Sequence, residues 1–443
     1  MTGRSQGPRS AVLVLLLALV SAACSSGSDS DQGSGSSSSS PSKASDSSPS
    51  SSATHEQEHG DTVAVAATPR EVRLLMEKLL GHHAILMVRL MRGSVDGEPE
   101  FVEAADGALQ RNTEELSGAV STVYGEETAA KFSGLWTEHV QSLTAYSKGV
   151  ADDDDAAMDA AKADLDSYSA KYGEFISEVT EGELASDAVA DDVGGHIQHL
   201  IDVTDAYAAG DYAAAFAGER TAYAAMFGTG KAISGAAVSP GSGELPAGFD
   251  SAPAELRSAL GRLLGEHVEL AFDATRAVVS GNAAAEAAAG ALNENTQEII
   301  AAMQGALGTK TGKEFSRIWA AHINAVVTFS VAVADADDEA QARARTTLDE
   351  FPRQLGAVLP AVSGGKVAAD TVIAALRQHD QQLLQQVTAY AAKDYSTSHD
   401  LAYEGYDHMF AIANTLAEAL EGSMAGSAPR GGAGTGGGGT AGH

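Results

Sequence analysis

His83, His139 and His196 fall midway along three stretches of helical periodicity, and His267, His322 and His379 fall at the matching points of three more. Apolar residues stand a turn away from these histidines: Leu79 and Leu80 before His83, Leu135 and Trp136 before His139, Ile318 and Trp319 before His322, Leu376 and Leu383 around His379. A neutral imidazole offers one nitrogen lone pair, and three or four of them at one depth of a helical bundle suit Zn(II), Cu(II) or iron, bare or in a metal cofactor such as haem. The same rings have a structural use. A buried imidazole bonded to a neighbouring helix fixes helix register without binding anything, whereas one left without a partner costs roughly 1–3 kcal/mol. From the sequence both readings stand.

His408 adds a fourth histidine in the second set, with Glu404 one turn before it; Ala225 and Thr221 occupy those places in the first. Asn112 and Asn295 match one another, as do Arg92 and Arg276. The candidate metal ligands are therefore His267, His322, His379, His408 and Glu404. His83, His139 and His196 form a weaker copy, and Asn295, Asn112, Arg276 and Arg92 are the expected supporting shell. His82, His199 and His399 lack a histidine counterpart, which predicts surface or incidental roles.

The matches arise from a tandem repeat. "ALQRNTEEL" (108–116) answers "ALNENTQEI" (291–299), and "KFSGLWTEHV" (131–140) answers "EFSRIWAAHI" (314–323), both 183 residues on. "DYAAAFAGERTAYAAMF" (211–227) answers "DYSTSHDLAYEGYDHMF" (394–410) at the same offset, while "LLGHH" (79–83) and "LLGEH" (263–267) are offset by 184. Within the first unit six stretches carry apolar residues at three- and four-residue spacing, near 69–92, 100–121, 126–149, 155–179, 185–208 and 211–230. Thr68 followed by Pro69 signals a helix start. Pro352 predicts a kink or break within a helix of the second unit. The fold class is all-α: two tandem up-and-down bundles of five or six helices each. Their expected bounds are 63–233 and 251–423, joined by a Gly- and Pro-rich linker at 234–250.

Residues 1–23 read as a signal peptide: Arg4 and Arg9, the apolar run "AVLVLLLALV", then "SAA" and Cys24, the only cysteine. The apolar core is too short for a membrane span, which takes about 20 residues. Cys24 is the expected lipidated residue, although Ser21 stands where such boxes usually carry Leu. Residues 24–62 are serine-rich and read as a disordered tether, and 424–443 as a disordered glycine-rich tail. The expected location is extracytoplasmic, with the membrane reached through the lipid anchor. The net charge of −32, from 60 acidic against 28 basic residues, argues against nucleic acid as a partner.

No phosphate-binding glycine loop, nucleophile elbow or zincin motif occurs, and the folded units lack the Glu-x-x-His pairs of di-iron carboxylate bundles. "EQEH" at 56–59 has that spacing but no helix to hold it. "ADDDDAAMDAAKADLD" (151–166) lacks the glycine and terminal glutamate of an EF-hand loop and reads as an acidic helix start. These absences leave a non-enzymatic binding protein as the leading expectation. The alternative is a structural or protein-interaction module whose histidines only specify packing.

"EHVELAFDATRAVVSG" (266–281), "ALNENTQEI", "WAAHI" (319–323) and "YDHMFAIANTLAEAL" (406–420) resemble secreted or lipid-anchored helical-bundle proteins of Gram-positive bacteria that have no established function. The second unit fits along its whole length, the first less well. The resemblance implies an all-α bundle outside the cytoplasm and implies no activity. It also implies one shared layer of His267, Asn295, His322, His379 and His408.

Overall fold

The computed structural model describes residues 67–239, 244–363 and 365–427. Cys24, the expected signal peptide and tether, and most of the expected tail lie outside them. The described residues form twelve α-helices and no strand. The first six are α1 Pro69–Val95, α2 Pro99–Tyr124, α3 Glu126–Asp152, α4 Asp155–Val179, α5 Ser186–Ala208 and α6 Tyr212–Val238. The second six are α7 Ala252–Ser280, α8 Ala285–Leu307, α9 Thr309–Ala334, α10 Asp338–Val362, α11 Ala369–Ala391 and α12 Tyr395–Ser427. Helix α6 runs into the expected linker, α12 runs into the expected tail, and α10 passes Pro352 without a break.

Local chemistry sets the helix starts. The Thr68 hydroxyl accepts the Glu71 N–H at 3.3 Å while the Glu71 carboxylate accepts the Thr68 N–H at 2.7 Å, a reciprocal cap beside Pro69. Ser251 caps α7, and Asp154, Asp211 and Asp337 cap α4, α6 and α10. The acidic run at 151–166 is thus the end of α3 and the start of α4, with Asp152 to Asp155 exposed to water.

Helices α1 and α7 are the two axes of the fold. Every residue from Leu79 to Gly93 in α1 and from Leu263 to Val278 in α7 is buried, so neither helix keeps a polar outer face. Helix α1 is surrounded by α2, α3, α5 and α6, and α7 by α8, α9, α11 and α12. The two groups also touch, through α1 with α7, α2 with α12, and α6 with α7 and α8. Helix α9 is long and apolar enough to cross a membrane by composition, but 67% of that stretch is buried among the other helices.

Where the groups meet, residues one repeat apart touch each other. The Tyr223 and Tyr406 hydroxyls lie 3.3 Å apart, the Phe227 and Phe410 rings stack at 6.4 Å, and Arg89 Nε donates to Asp273 Oδ1 at 3.2 Å. Equal positions meet only near a two-fold axis, as in an isologous dimer. Gly81 and Gly265 permit this approach. A Cβ on Gly81 would stand 2.8 Å from Phe227, and one on Gly265 2.6 Å from Phe410 and 2.8 Å from the Tyr223 hydroxyl.

The interface also buries charge. Arg89 reaches Glu269 at 2.6 Å and lies 3.9 Å over the Phe272 ring, and Arg92 reaches Glu219 at 2.6 Å and Asp273 at 3.1 Å. Burial pushes the Glu219 carboxyl up to about 7. At the edge, Arg73 bonds Glu255 at 2.8 Å; this bond and one from Lys231 draw the Glu255 carboxyl down to about 2.

Candidate metal centres

Helices α1, α3 and α5 run in the same sense and bring His83, His139 and His196 to one depth, and α7, α9 and α11 do the same for His267, His322 and His379. In each set one nitrogen per ring lies within 4.8 Å of the other two. Ligands about 2.0–2.1 Å from an ion stand no more than about 4.2 Å apart, so closure asks each set for under about 1 Å of side-chain movement. Among the described residues these are the only groups of three or more His, Cys, Asp or Glu with metal-ligand spacing.

The surroundings repeat with the sequence. His83 lies 4.6 Å from the Trp136 ring and His267 4.9 Å from Trp319. His139 stacks on Tyr168 at 4.8 Å, and His322 stacks on Phe351 at 4.2 Å. All six rings are buried, and burial holds them neutral. It lowers His139 to about 4, His196, His267 and His322 to about 3, and His83 and His379 well below the ordinary 6.5. Neutral imidazole is the form that binds a metal.

The hydrogen bonds differ between the sets. In the first, His139 Nδ1 donates to the Trp136 carbonyl at 2.9 Å, which leaves its Nε2 as the acceptor for His83 Nε2, 3.2 Å away. That orientation by a carbonyl is what a metal-ligating histidine needs. In the second, none of the six ring nitrogens has a hydrogen-bond partner. His322 Nδ1 instead faces Asp380 Oδ1 at 3.3 Å, within reach of its charge but off the line of a hydrogen bond. Burial pushes the Asp380 carboxyl up to about 7.

Each set adjoins an apolar cleft, and the clefts correspond. Leu264, Trp319, Leu376, His379 and Met409 line one of about 870 Å³. Their counterparts Leu80, Trp136, Val193, His196 and Met226 line one of about 840 Å³. The clefts are partly open to the surface and are lined by His379 in the second set and by His139 and His196 in the first.

Several expected site residues lie elsewhere. Glu404 is exposed and is not part of the three-histidine group. His408 lines the cleft beside His379, but its Nε2 donates to the Ala375 carbonyl at 2.8 Å, which takes that nitrogen out of the ligand set. The fourth corner expected from the sequence is therefore absent from the cluster. Asn112 and Asn295 are fully buried, yet they donate to the Leu79 and Leu263 carbonyls, both at 3.0 Å, and Asn295 also to Glu266 at 2.8 Å. They tie α2 to α1 and α8 to α7, and make no hydrogen bond to a histidine. Arg92 belongs to the charged interface, and Arg276 lies 3.5 Å from Asp96 and 3.9 Å over the Phe101 ring.

His82 and His399 are not surface residues. His82 is fully buried, 3.4 Å from Glu269 and stacked on Tyr406 at 3.9 Å. His399 Nδ1 donates to the Tyr395 carbonyl at 2.8 Å while its ring packs 4.6 Å from Phe101. Both face the other six-helix group, a surface that a single repeat does not reveal. His199 is half-buried. Asp380 is the site residue that sequence reasoning missed. The available signal was its alignment with Ile197, an acid replacing an apolar residue next to a candidate ligand.

Comparison with protein-family models, with curated proteins and with solved structures finds no match.

Proposed function

We propose that each three-histidine set holds one transition-metal ion, Zn, Cu or Fe, and that the chain is a non-enzymatic metal-binding protein. The observation that carries this reading is the second set: three buried imidazoles converge from three helices with every ring nitrogen lacking a hydrogen-bond partner. A polar layer that served only packing would satisfy its own nitrogens, since each orphan costs roughly 1–3 kcal/mol. An ion would use one lone pair from each ring and offset that penalty. In this reading the tandem arrangement is a duplication that carried the site with it, and the first set, having as many histidines as the second, is an active copy.

The structural alternative draws support from one contact, the His83–His139 bond at 3.2 Å, which pairs the facing nitrogens of those two rings without an ion while His83 Nδ1 keeps no partner. Elemental analysis separates the readings. Protein stripped of metal and reloaded is expected to hold two ions per chain, and His139→Ala and His322→Ala each to hold one. Wild-type protein that takes up no Zn(II), Cu(II), Cu(I) or Fe(II) would overturn the metal reading.

The address forms part of the proposal. Lipidation of Cys24 would tether the helices to the outer face of the membrane through the serine-rich segment. Cys24→Ala is expected to move the protein from the membrane fraction to the medium.

A further inference from the structure

We infer that the two histidine sets are built for ions of different charge: the α1–α3–α5 set for monovalent Cu(I), and the α7–α9–α11 set for a divalent ion of the Zn(II) type. The inference rests on the metal reading above and adds the ion that each site selects. All six ligands are uncharged, so the surroundings must balance the ion. The energy of placing an ion in a poorly polarisable interior grows with the square of its charge, and a divalent ion in an apolar bundle therefore needs an anion close by.

One set has a buried carboxyl that a bound cation would hold ionised, and the other has none. Asp380, 6% exposed, stands 3.3 Å from His322 Nδ1, which leaves Nε2 as the nitrogen free for an ion. A carboxylate at that distance lends negative charge to the centre. The same place in α5 is Ile197, 5% exposed, and the Nδ1 of His139 rests on the neutral carbonyl of Trp136. The acids found beside the first set are of another kind. Asp192 lies exposed at the cleft mouth, bonded to Thr229 at 2.8 Å, and Glu138 is exposed and paired with Lys171 at 3.2 Å. Water screens both. Cu(I) is satisfied by three donors in a plane and Zn(II) wants a fourth; a cleft adjoins each set, so room for that donor does not separate them and the acid does.

The test uses the full-length chain with one set disabled. His322→Ala leaves the first set and His139→Ala the second, and each variant is titrated anaerobically with Cu(I) and with Zn(II) against a chromophoric chelator. The first set is expected to bind Cu(I) and to bind Zn(II) at least about 10-fold more weakly than the second does. Asp380→Asn, close to isosteric, is expected to weaken Zn(II) at the second set about 10- to 100-fold and to leave its Cu(I) affinity within a few-fold. Circular dichroism of each variant checks that it is folded. Equal Zn(II) affinities at the two sets, or an Asp380→Asn variant with unchanged Zn(II) affinity, overturns the inference and leaves the metal reading standing. Failure of both ions at both sets overturns the metal reading itself.

Discussion

Arg89 and Asp273 hold the same position in the two repeats, and they are bonded to each other, Nε to Oδ1 at 3.2 Å. In a symmetric dimer of one unit that position would face itself, arginine against arginine or aspartate against aspartate. Opposite charges are available only because the units differ. The acidic side extends to Glu269, whose counterpart is Ile85; burial works to raise the Glu269 carboxyl, but Arg89 and His82 hold it below its ordinary value. Removing the cation would leave Glu269 with only His82 beside it and Asp273 with Arg92 as its remaining partner, both in the interior. Arg89→Met is expected to destabilise the protein by about 3–5 kcal/mol in urea unfolding, the usual consequence of breaking a buried pair from one side. A loss below about 1 kcal/mol would show that the network relaxes to water.

Gly265 makes a second, steric prediction. Its added Cβ would stand 2.6 Å from Phe410, 2.8 Å from the Tyr223 hydroxyl and 2.9 Å from Tyr406, aromatic rings themselves packed at the two-fold axis. Gly265→Ala improves helix propensity yet is expected to lower stability by about 1–3 kcal/mol, because overpacking a filled contact outweighs a propensity gain of about 1 kcal/mol. Gly290, where an added Cβ meets nothing within 4 Å, is the control, and Gly290→Ala should leave stability unchanged or raise it. Equal effects at the two positions would mean that the close approach does not constrain the interface.

The histidine sets were legible before the structure because the repeat supplies a register. His83, His139 and His196 recur as His267, His322 and His379, and parallel helices one, three and five turn equal register into equal depth. What failed were inferences about direction around a helix. His408 is one of six helix-twelve residues near the second cleft, but its ring turns to the Ala375 carbonyl, a choice that depends on where α11 sits. Arg92 and Arg276 align because both face the partner group, and alignment cannot tell a face turned to a site from a face turned to an interface. Asp380 was hidden for the opposite reason: it breaks the repeat, and attention to matches passes over it.

Acid should weaken the metal-free protein. The six triad imidazoles are held neutral by burial, with values from about 4 for His139 down to about 3 for His196, His267 and His322. Their values are depressed in the folded state, so below the ordinary 6.5 the unfolded chain binds more protons than the folded one. Stability present above 6.5 is then lost as pH falls toward the folded values, by up to about 1.4 kcal/mol per pH unit for each imidazole. Glu219 and Asp380 act the other way: raised to about 7, they contribute stability at low pH that fades as pH rises from their ordinary values of 4.5 and 3.8 to 7. Two such carboxyls oppose six rings, so the urea midpoint of metal-free protein is expected to drop between pH 6.5 and 4.5. A flat profile across that window would mean the rings are protonated or solvated in the fold. Zn(II) at saturating concentration should oppose the drop at pH 7 and lose that effect as protons compete for the ligands.

The fusion itself is testable without changing a side chain of the interface. A protease site placed between Ser239 and Glu244 falls in the connection between α6 and α7. After cleavage the halves are expected to stay together, because Arg73, Arg89 and Arg92 of α1 face Glu255, Glu269 and Asp273 of α7 across an apolar seam to which Ile85, Phe227 and Phe272 also contribute. Most of those charges are buried and poorly screened, so association should survive salt that abolishes surface pairing. The complementarity also sets the partner. Halves separated in urea and remixed should return as one-to-one pairs in preference to like pairs, since two first units would oppose arginine to arginine and two second units aspartate to aspartate. Native mass spectrometry reads the outcome directly, and like pairs in equal amount would show that the charges at the axis do not specify the pairing.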